Sequence, residues 1–304
     1  MESSARPPRD TDAAAAPSAA GREVHADPLL ALLGDESPVV RREVRRALES
    51  RGRAAIPWLE RAARSEDARV RSAARGLLLR RSRAAVARRM LRLALRPRIA
   101  LESGLWLMSR FETPDLDVRP FQLALDACAA EVLQRLERGK SRARASDVLI
   151  DYLAGELRLD GDRDDYHHPH NVYLHTALTR RRGMPLTLTA LYICVARRAS
   201  IRAAAIALPG HVMLRIYDGD RGVLCDPFNG GKRLNERDCL GYLADHGLPF
   251  QPHWFDDASE AALWLRHLRN LQRAFVELGL GADARELRPV VSVLEQRLVG
   301  GASA

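Results

Sequence analysis

The chain has 304 residues, of which 46% are hydrophobic and 29% are charged, and it carries 48 basic residues against 39 acidic ones. This length and composition exclude a single small module and predict a soluble protein of two or three domains. The net charge of +9 suggests an anionic partner, but the excess lies in residues 28–100, where 19 arginines accompany 7 acidic residues. The charge therefore describes one accessory segment of an otherwise balanced chain.

Residues 1–27 lack the apolar core of a signal peptide and are predicted to be a disordered tail. The longest mostly apolar run, residues 186–196, is about half as long as a membrane span, so no transmembrane helix is expected. No CxxC spacing occurs among the four cysteines, which predicts reduced, buried thiols. A cytoplasmic location is the resulting expectation. The cysteines are Cys128, Cys194, Cys225 and Cys239.

The sequence repeats itself with a shift of 30 residues from position 28 to about position 79. Val40-Arg41 in the first copy corresponds to Val70-Arg71 in the second, and an acidic stretch precedes each pair. The apolar spacing predicts a short helix followed by a longer one in each copy. The pattern resembles HEAT-like repeats, so residues 28–98 are predicted to form a HEAT-like α-solenoid. Its arginine-rich face is either a solvated surface or a docking surface for an acidic protein or peptide.

Further helices are predicted at 101–108, 118–136, 146–157, 172–181 and 186–198. The last of these is apolar on nearly every side, which predicts that it is buried. Strands are then predicted at 203–208, 211–217 and 222–226, and the second and third form an antiparallel hairpin.

The hairpin is predicted to bring one histidine close to one aspartate. With the turn centred between Gly219 and Asp220, Met213 faces Asp226, and His211 becomes the diagonal neighbour of Asp226 on the same face. A carboxylate in contact with a histidine can fix its tautomer and raise its basicity, as a general base requires. The structural alternative is that His211 ends a strand and Asp226 begins a turn.

Three motifs in this region resemble the SirB-type transglutaminase-like family of bacteria, a domain related to one in a eukaryotic F-box protein. They are the run from Tyr166 to Pro185, the turn Leu208-Pro209-Gly210-His211, and Asp226-Pro227-Phe228-Asn229-Gly230-Gly231. The resemblance covers residues 101–242 and implies an α+β, predominantly helical fold. Its transglutaminase-like (papain-like) core, with a small antiparallel sheet, would span residues 99–255. Residues 256–304 are predicted to form a C-terminal helical hairpin, a tetratricopeptide-like helix pair.

The resemblance also implies a catalytic arrangement, in which a cysteine at the start of the buried helix is activated by a histidine and an aspartate. His211 would be the base and Asp226 its orienting partner. No cysteine occupies the expected nucleophile position, residues 185–187. Thr187 is the nearest hydroxyl there, and it is either a weak nucleophile or a helix cap. The groove residues that the resemblance implies are Asn171, Tyr173, Pro185, Gly210, Asn229 and Gly230.

The loop before residue 172 is rich in histidine, but the spacing does not match a metal-binding motif, so no metal and no other cofactor is expected. Asn171 is interpreted as a helix N-cap. The histidines are His167, His168, His170 and His175.

Two functions fit these observations. The first is a non-catalytic, pseudoenzyme-like scaffold that binds a protein or peptide, with the His211–Asp226 pair retained. The alternative is an amide or ester hydrolase, or an acyltransferase, that uses Thr187 or a water molecule activated by that pair. Nucleic-acid binding is disfavoured, because the basic segment holds one aromatic residue, Trp58, and no nucleic-acid motif. No membrane partner is expected.

Overall fold

The computed structural model describes residues 26–139 and 143–301. These residues fall into two compact units that divide between Arg81 and Ser82. As predicted, the described chain is predominantly helical and has small sheets. The tail predicted to be disordered lies outside the described residues up to position 25, and the first helix begins at Ala26.

In the described part of the first unit, four helices surround a small apolar core. The helices are α1 (Ala26–Ala31), α2 (Pro38–Ser50), α3 (Ile56–Ala62) and the first part of α4 (Ala68–Ala94). Leu33, Leu48 and Leu59 are fully buried in this core and pack with Leu77 of α4. The HEAT-like assignment of this unit stays a prediction.

The 30-residue repeat also appears in the hydrogen bonds of the turns before α2 and α4. Arg41 donates from Nη1 to the carbonyl oxygens six and five residues earlier, at 2.6 and 2.8 Å. Arg71 makes the same two bonds at 2.6 and 3.0 Å. Ser37 and Asp67, also 30 residues apart, each accept a hydrogen bond from a backbone N–H in the first turn of the helix that follows. Two arginines of the basic segment therefore stabilise turns of their own unit.

We expect Arg71→Ala to destabilise the first unit by about 1 kcal/mol, because two charge-assisted hydrogen bonds to carbonyl groups are lost. Hydrogen exchange of the amides in α3 and α4 should then be about fivefold faster. The control is Arg42→Ala, whose side chain is 61% exposed and has only a 3.9 Å contact to Glu43. Equal exchange rates in the two variants would contradict this role for Arg71.

The second unit contains the rest of α4, eight further helices and all the described strands. Its helices are α5 (Leu101–Glu112), α6 (Arg119–Gly139), α7 (Ala145–Ile150), α8 (Leu174–Arg180), α9 (Pro185–Arg198), α10 (Glu236–Asp245), α11 (Glu260–Glu277) and α12 (Gly281–Gly301). A π-helical turn, Asp151–Glu156, continues α7.

The division between the units differs from the predicted boundary at residues 98 and 99. Helix α4 is continuous through residue 94, and Val86, Met90 and Leu93 belong to the core of the second unit. The apolar residues after position 81 thus pack with the domain that follows them in sequence. Residues 84–94 form the last part of α4.

Four antiparallel strands form the larger sheet, in the order β3 (Ala203–Ile206), β4 (Met213–Asp218), β5 (Arg221–Asp226) and β6 (Lys232–Leu234). The smaller sheet pairs β1 (Asp160–Gly161) with β2 (Arg182–Gly183) in parallel. In the β4–β5 hairpin Leu214 pairs with Cys225 and Asp218 with Arg221. This is the register that the turn composition predicted.

Helix α9 lies at the centre of the second unit. All of its residues from Pro185 to Ala196 are buried, as its apolar composition predicted. It packs against α6, β3, β4 and the 3-10 turn Pro227–Asn229. Pro185 is suited to the first turn of a helix, because it lacks the N–H that would have no partner there. This packing holds the first turn of α9 close to the turn that follows β5.

The C-terminal helices α11 and α12 pack on each other and share the core of the second unit. Trp264 and Leu268 of α11 are fully buried. A Cβ atom at Gly104 would lie 2.6 Å from the Trp264 indole, so this close approach requires glycine. Two packed helices therefore occupy this C-terminal region, but they are not a separate unit, and their tetratricopeptide-like assignment stays a prediction. None of the described helices is long and apolar enough to cross a membrane.

Candidate functional site

The site is centred on a hydrogen bond between His211 and Asp226. Nε2 of His211 lies 2.8 Å from Oδ2 of Asp226, and the two side chains are only 12% and 7% exposed. His211 follows the turn at Pro209-Gly210 just before β4, and Asp226 is the last residue of β5. The predicted hairpin register thus brings the two residues together.

Asp226 is held by the turn that follows it. Its Oδ1 accepts hydrogen bonds from the backbone N–H groups of Phe228 and Asn229, at 2.9 and 3.3 Å, and its Oδ2 also accepts from Nδ2 of Asn229 at 2.7 Å. Burial by itself raises the pKa of Asp226, but the hydrogen bonds from His211, Asn229 and Phe228 outweigh it and leave the pKa below its ordinary value. The carboxylate is therefore charged at neutral pH and orients the imidazole.

The backbone of His211 is also fixed. Arg266 of α11 donates from Nη2 to the carbonyl oxygens of Leu208 and His211, at 2.8 and 3.1 Å. Tyr242 lies over the His211 ring, with 5.5 Å between the ring centroids, and donates its hydroxyl to the Pro209 carbonyl. Because Nε2 of His211 contacts Asp226, its Nδ1 is the nitrogen left for a ligand, and no hydrogen bond to Nδ1 occurs within the described chain.

Two cavities meet at His211. The first has a volume of about 260 Å³ and lies between α11 and the start of α9. The second has a volume of about 410 Å³ and lies towards α10 and the turn after β5. Tyr166, Pro185 and His211 line both of them. We refer to the two cavities together as the groove.

The two halves of the groove differ in charge. The charged residues that line the first cavity are Arg266, Arg269, Arg273 and Glu277. Those that line the second are Asp226, Lys232, Asp238 and Asp245. His211 therefore lies between a half with excess positive charge and a half with excess negative charge.

Part of the second unit is similar to a known protein family. Residues 119–269 match a family described as the transglutaminase-like superfamily. These residues form a transglutaminase-like domain. The match extends from α6 into α11, so it includes His211, Asp226 and Arg266.

Several curated proteins are similar to the chain. A UPF0162 protein of Xylella fastidiosa is 31% identical over 148 residues, which is 49% of this chain and 53% of that protein. A UPF0162 protein of Pseudomonas aeruginosa is 27% identical over 213 residues, or 69% and 76% of the two chains. F-box only protein 21 of Mus musculus is 30% identical over 113 residues, or 34% and 18%. The matched segment spans about half the length of the Xylella relatives. No solved structure gives a significant match.

The predicted nucleophile position, residues 185–187, holds neither a thiol nor a hydroxyl directed into the groove. The start of α9 contributes Pro185 and Leu186 to the lining, and no cysteine, serine or threonine is among the described residues that line either cavity. Thr187 is fully buried, and its hydroxyl donates to the Val172 carbonyl at 3.3 Å. The N-cap of α9 is Met184 rather than Thr187, and the side chain of Thr187 points into the core rather than into the groove.

The cysteines do not supply the missing thiolate. Cys194, Cys225 and Cys239 are buried and Cys128 is partly buried, and none of them lines the groove. Burial raises the pKa of each thiol, and it raises that of Cys225 to about 12. These thiols are therefore protonated at neutral pH.

Of the other predicted groove residues, Pro185, Gly210 and Asn229 line the groove. Tyr173 is 1% exposed, and Gly230 donates its N–H to Asp160 at 3.1 Å. Neither of these two residues is among those that line the two described cavities.

Asn171 is also a structural residue rather than a groove residue. It is fully buried inside the 3-10 turn Pro169–Val172, where it donates to the Asp165 carbonyl at 2.7 Å and accepts from Arg180 at 3.1 Å. Its interpretation as an N-cap is wrong, because the cap of this turn is His168, whose Nδ1 accepts from a backbone N–H.

Two of the loop histidines contact a glutamate. Nε2 of His170 and Nε2 of His175 each lie 3.4 Å from a carboxylate oxygen of Glu112. Burial lowers the pKa of both histidines, which favours their neutral form. Within the part of the chain that the structure describes, no group of three or more His, Cys, Asp or Glu residues is arranged to hold a metal ion.

The wall of the first cavity on α11 was not predicted. Arg266, Asn270 and Arg273 recur at intervals of four and three residues, which puts them on one face of the helix. The same spacing was present in the sequence, but a polar helix face is usually solvated, and the tertiary packing of α11 decides that this one faces the groove.

We expect iodoacetamide to modify all four cysteines of the native protein slowly at neutral pH, because the reactive thiolate is scarce in each. Mass spectrometry should show rates at least about tenfold lower than in the urea-unfolded chain, which is the control. Rapid modification of any one cysteine in the folded protein would contradict the protonated state assigned to it.

Proposed function

We propose that the transglutaminase-like domain is a non-catalytic module that binds a protein segment or peptide in the groove. The observation that supports this most directly is the composition of the groove. His211 and Asp226 remain together, while the described lining residues offer no thiol or aliphatic hydroxyl for covalent catalysis. The pair then serves as a fixed polar group for recognition.

The lining is suited to an extended peptide. Nδ1 of His211 and the amide of Asn270 offer hydrogen bonds to backbone groups, and Leu186 and Val212 offer apolar contacts. The groove is also rigid around His211, because Asp226, Arg266 and Tyr242 fix its ring and backbone. Rigid, preformed sites bind with a smaller loss of conformational entropy.

Filling the first cavity should abolish peptide binding. Asn270→Trp places a large ring in a cavity of about 260 Å³, so we expect the full-length variant to bind selected peptides at least about tenfold more weakly. Ligands would be selected from arrays of random-sequence peptides, and affinities measured by fluorescence polarisation. The control is Arg237→Trp, on the exposed side of α10 and outside both cavities.

Equal losses in the two tryptophan variants, or no change in either, would contradict peptide binding in the groove. Circular dichroism and thermal unfolding of each variant would show whether the protein remains folded. His211→Gln is a smaller change that keeps the cavity open, and it should weaken binding without filling the groove.

The second candidate function is hydrolysis of an amide or ester, or acyl transfer. It is favoured by the charged Asp226 on one side of the imidazole and the unoccupied Nδ1 on the other, an arrangement that can activate a water molecule. The selected peptides distinguish the two functions. Cleavage seen by mass spectrometry that is lost in His211→Gln would favour the enzyme, and intact bound peptides would favour the binding module.

The first unit supports a separate proposal for an acidic protein or peptide partner. A shallow groove on this unit is lined by arginines, and no acidic residue is among its described lining residues. Its arginines are Arg41, Arg45, Arg69 and Arg80. We refer to it as the arginine groove.

Reversing one charge in the arginine groove tests this second surface. We expect Arg80→Glu to weaken binding of a fluorescent oligoglutamate peptide about threefold or more at low salt, because one attractive charge becomes repulsive. The control is Arg64→Glu, an exposed arginine of the same unit that lies outside the arginine groove. Equal weakening by both variants would indicate only a nonspecific effect of net charge.

A further inference from the structure

Arg266 has no acidic partner among the described residues. It is partly buried, and its only hydrogen bonds to described residues run from Nη2 to the carbonyl groups of Leu208 and His211. No carboxylate of the described chain lies within ion-pair distance of its guanidinium. Its Nε and Nη1 make no hydrogen bond to a described residue, which leaves donors available on the cavity side.

A partly buried cation without a counter-ion is costly, because it loses hydration that no neighbouring charge replaces. Burial therefore lowers the pKa of Arg266, because it disfavours the charged form of the guanidinium. The aromatic rings nearby, Tyr166 and Tyr242, carry no charge at neutral pH. An anion that enters the cavity would remove this cost.

A second arginine faces the same cavity two helical turns further along α11. Arg273 is exposed and forms no ion pair with a described residue, whereas Arg269 between them is paired with Glu295 at 2.8 Å. Glu277 at the rim balances one of these charges. The side of α11 that lines the first cavity therefore carries a net positive charge next to His211.

We propose that the first cavity binds a carboxylate of a peptide ligand, held by the guanidinium groups of Arg266 and Arg273 beside the imidazole of His211. The proposal deepens the proposed peptide-binding function and rests on it. A guanidinium pairs with a carboxylate through two parallel hydrogen bonds, which gives both affinity and direction.

The rest of the groove fixes the position of this carboxylate. Val172, Leu186 and Val212 line the first cavity and suit the aliphatic part of the ligand. The second cavity repels an anion, because Asp238 and Asp245 line it. A bound peptide therefore has its acidic group on the α11 side of His211.

The probe is an array of random-sequence peptides, each printed with a C-terminal amide and again with a free C-terminal carboxylate, and incubated with the full-length protein. We expect bound peptides to be enriched in acidic groups, and replacement of the critical Glu or Asp by Gln or Asn to weaken binding roughly tenfold. Enrichment among the amidated peptides assigns the carboxylate to a side chain. Enrichment confined to the free-acid set assigns it to the C terminus.

Two variants test whether the preference for acidic peptides arises from the first cavity. Arg273→Gln removes the exposed charge and should reduce the acid preference severalfold, and Arg266→Met should reduce it further. Arg266 also holds two backbone carbonyl groups, so Arg266→Met can disturb folding. If that variant does not fold, Arg273→Gln alone tests the proposal. Arg237→Gln, on α10 and outside the cavity, is the matched control and should leave the preference unchanged.

The outcomes separate this proposal from the function on which it rests. Peptides that bind without acid preference overturn the carboxylate site but leave peptide binding in place. Acid preference that survives in Arg273→Gln and Arg266→Met, and is lost in Arg80→Glu, also overturns the carboxylate site, because the anion then binds the arginine groove. Absence of any peptide binding overturns the proposed function and the carboxylate site together.

Discussion

The hydrogen bond between His211 and Asp226 depends on the register of one β-hairpin. Successive side chains of a strand point to opposite faces, so a shift of one residue between β4 and β5 would separate the imidazole from the carboxylate. The turn between Asp218 and Arg221 fixes this register, and Asn229 then binds the same carboxylate oxygen as His211. The charged state of Asp226, the orientation of the imidazole and the two cavities that meet there all follow from this pairing.

The residues around the pair support a fixed geometry more clearly than they support catalysis. Arg266 and Tyr242 restrain the backbone of His211 and of the turn before it, while the first turn of α9 contributes, among the described residues, only Pro185 and Leu186 to the groove. A nucleophile must lie within hydrogen-bond reach of its base, and Thr187 donates its hydroxyl to a core carbonyl instead. A binding role needs only the fixed imidazole and the shaped cavity, and both are present.

Short sequence patterns predicted two features of the site: the contact between His211 and Asp226, and the burial of α9. The composition of one four-residue turn was enough to place His211 beside Asp226, and the apolar pattern was enough to predict that α9 is buried. Asn171 and Thr187 could not be assigned in this way, because the direction of a side chain in the first turn of a short helix depends on what packs against it. The arginine wall of α11 was missed for a similar reason, since only the packed structure shows that it faces His211.

The arginines of this protein show why net charge is a poor guide to binding. Arg41 and Arg71 use their guanidinium groups to hold the turns before two helices, so these charges contribute to folding. Arg266 likewise holds two backbone carbonyls with one nitrogen, but it lies beside a cavity in a segment whose overall charge is close to neutral. Recognition of an anion requires donors that the fold has not already used, directed into a space that a ligand can enter. Arg266 meets that criterion, because its Nε and Nη1 are unused and its side chain lines a cavity beside a fixed histidine.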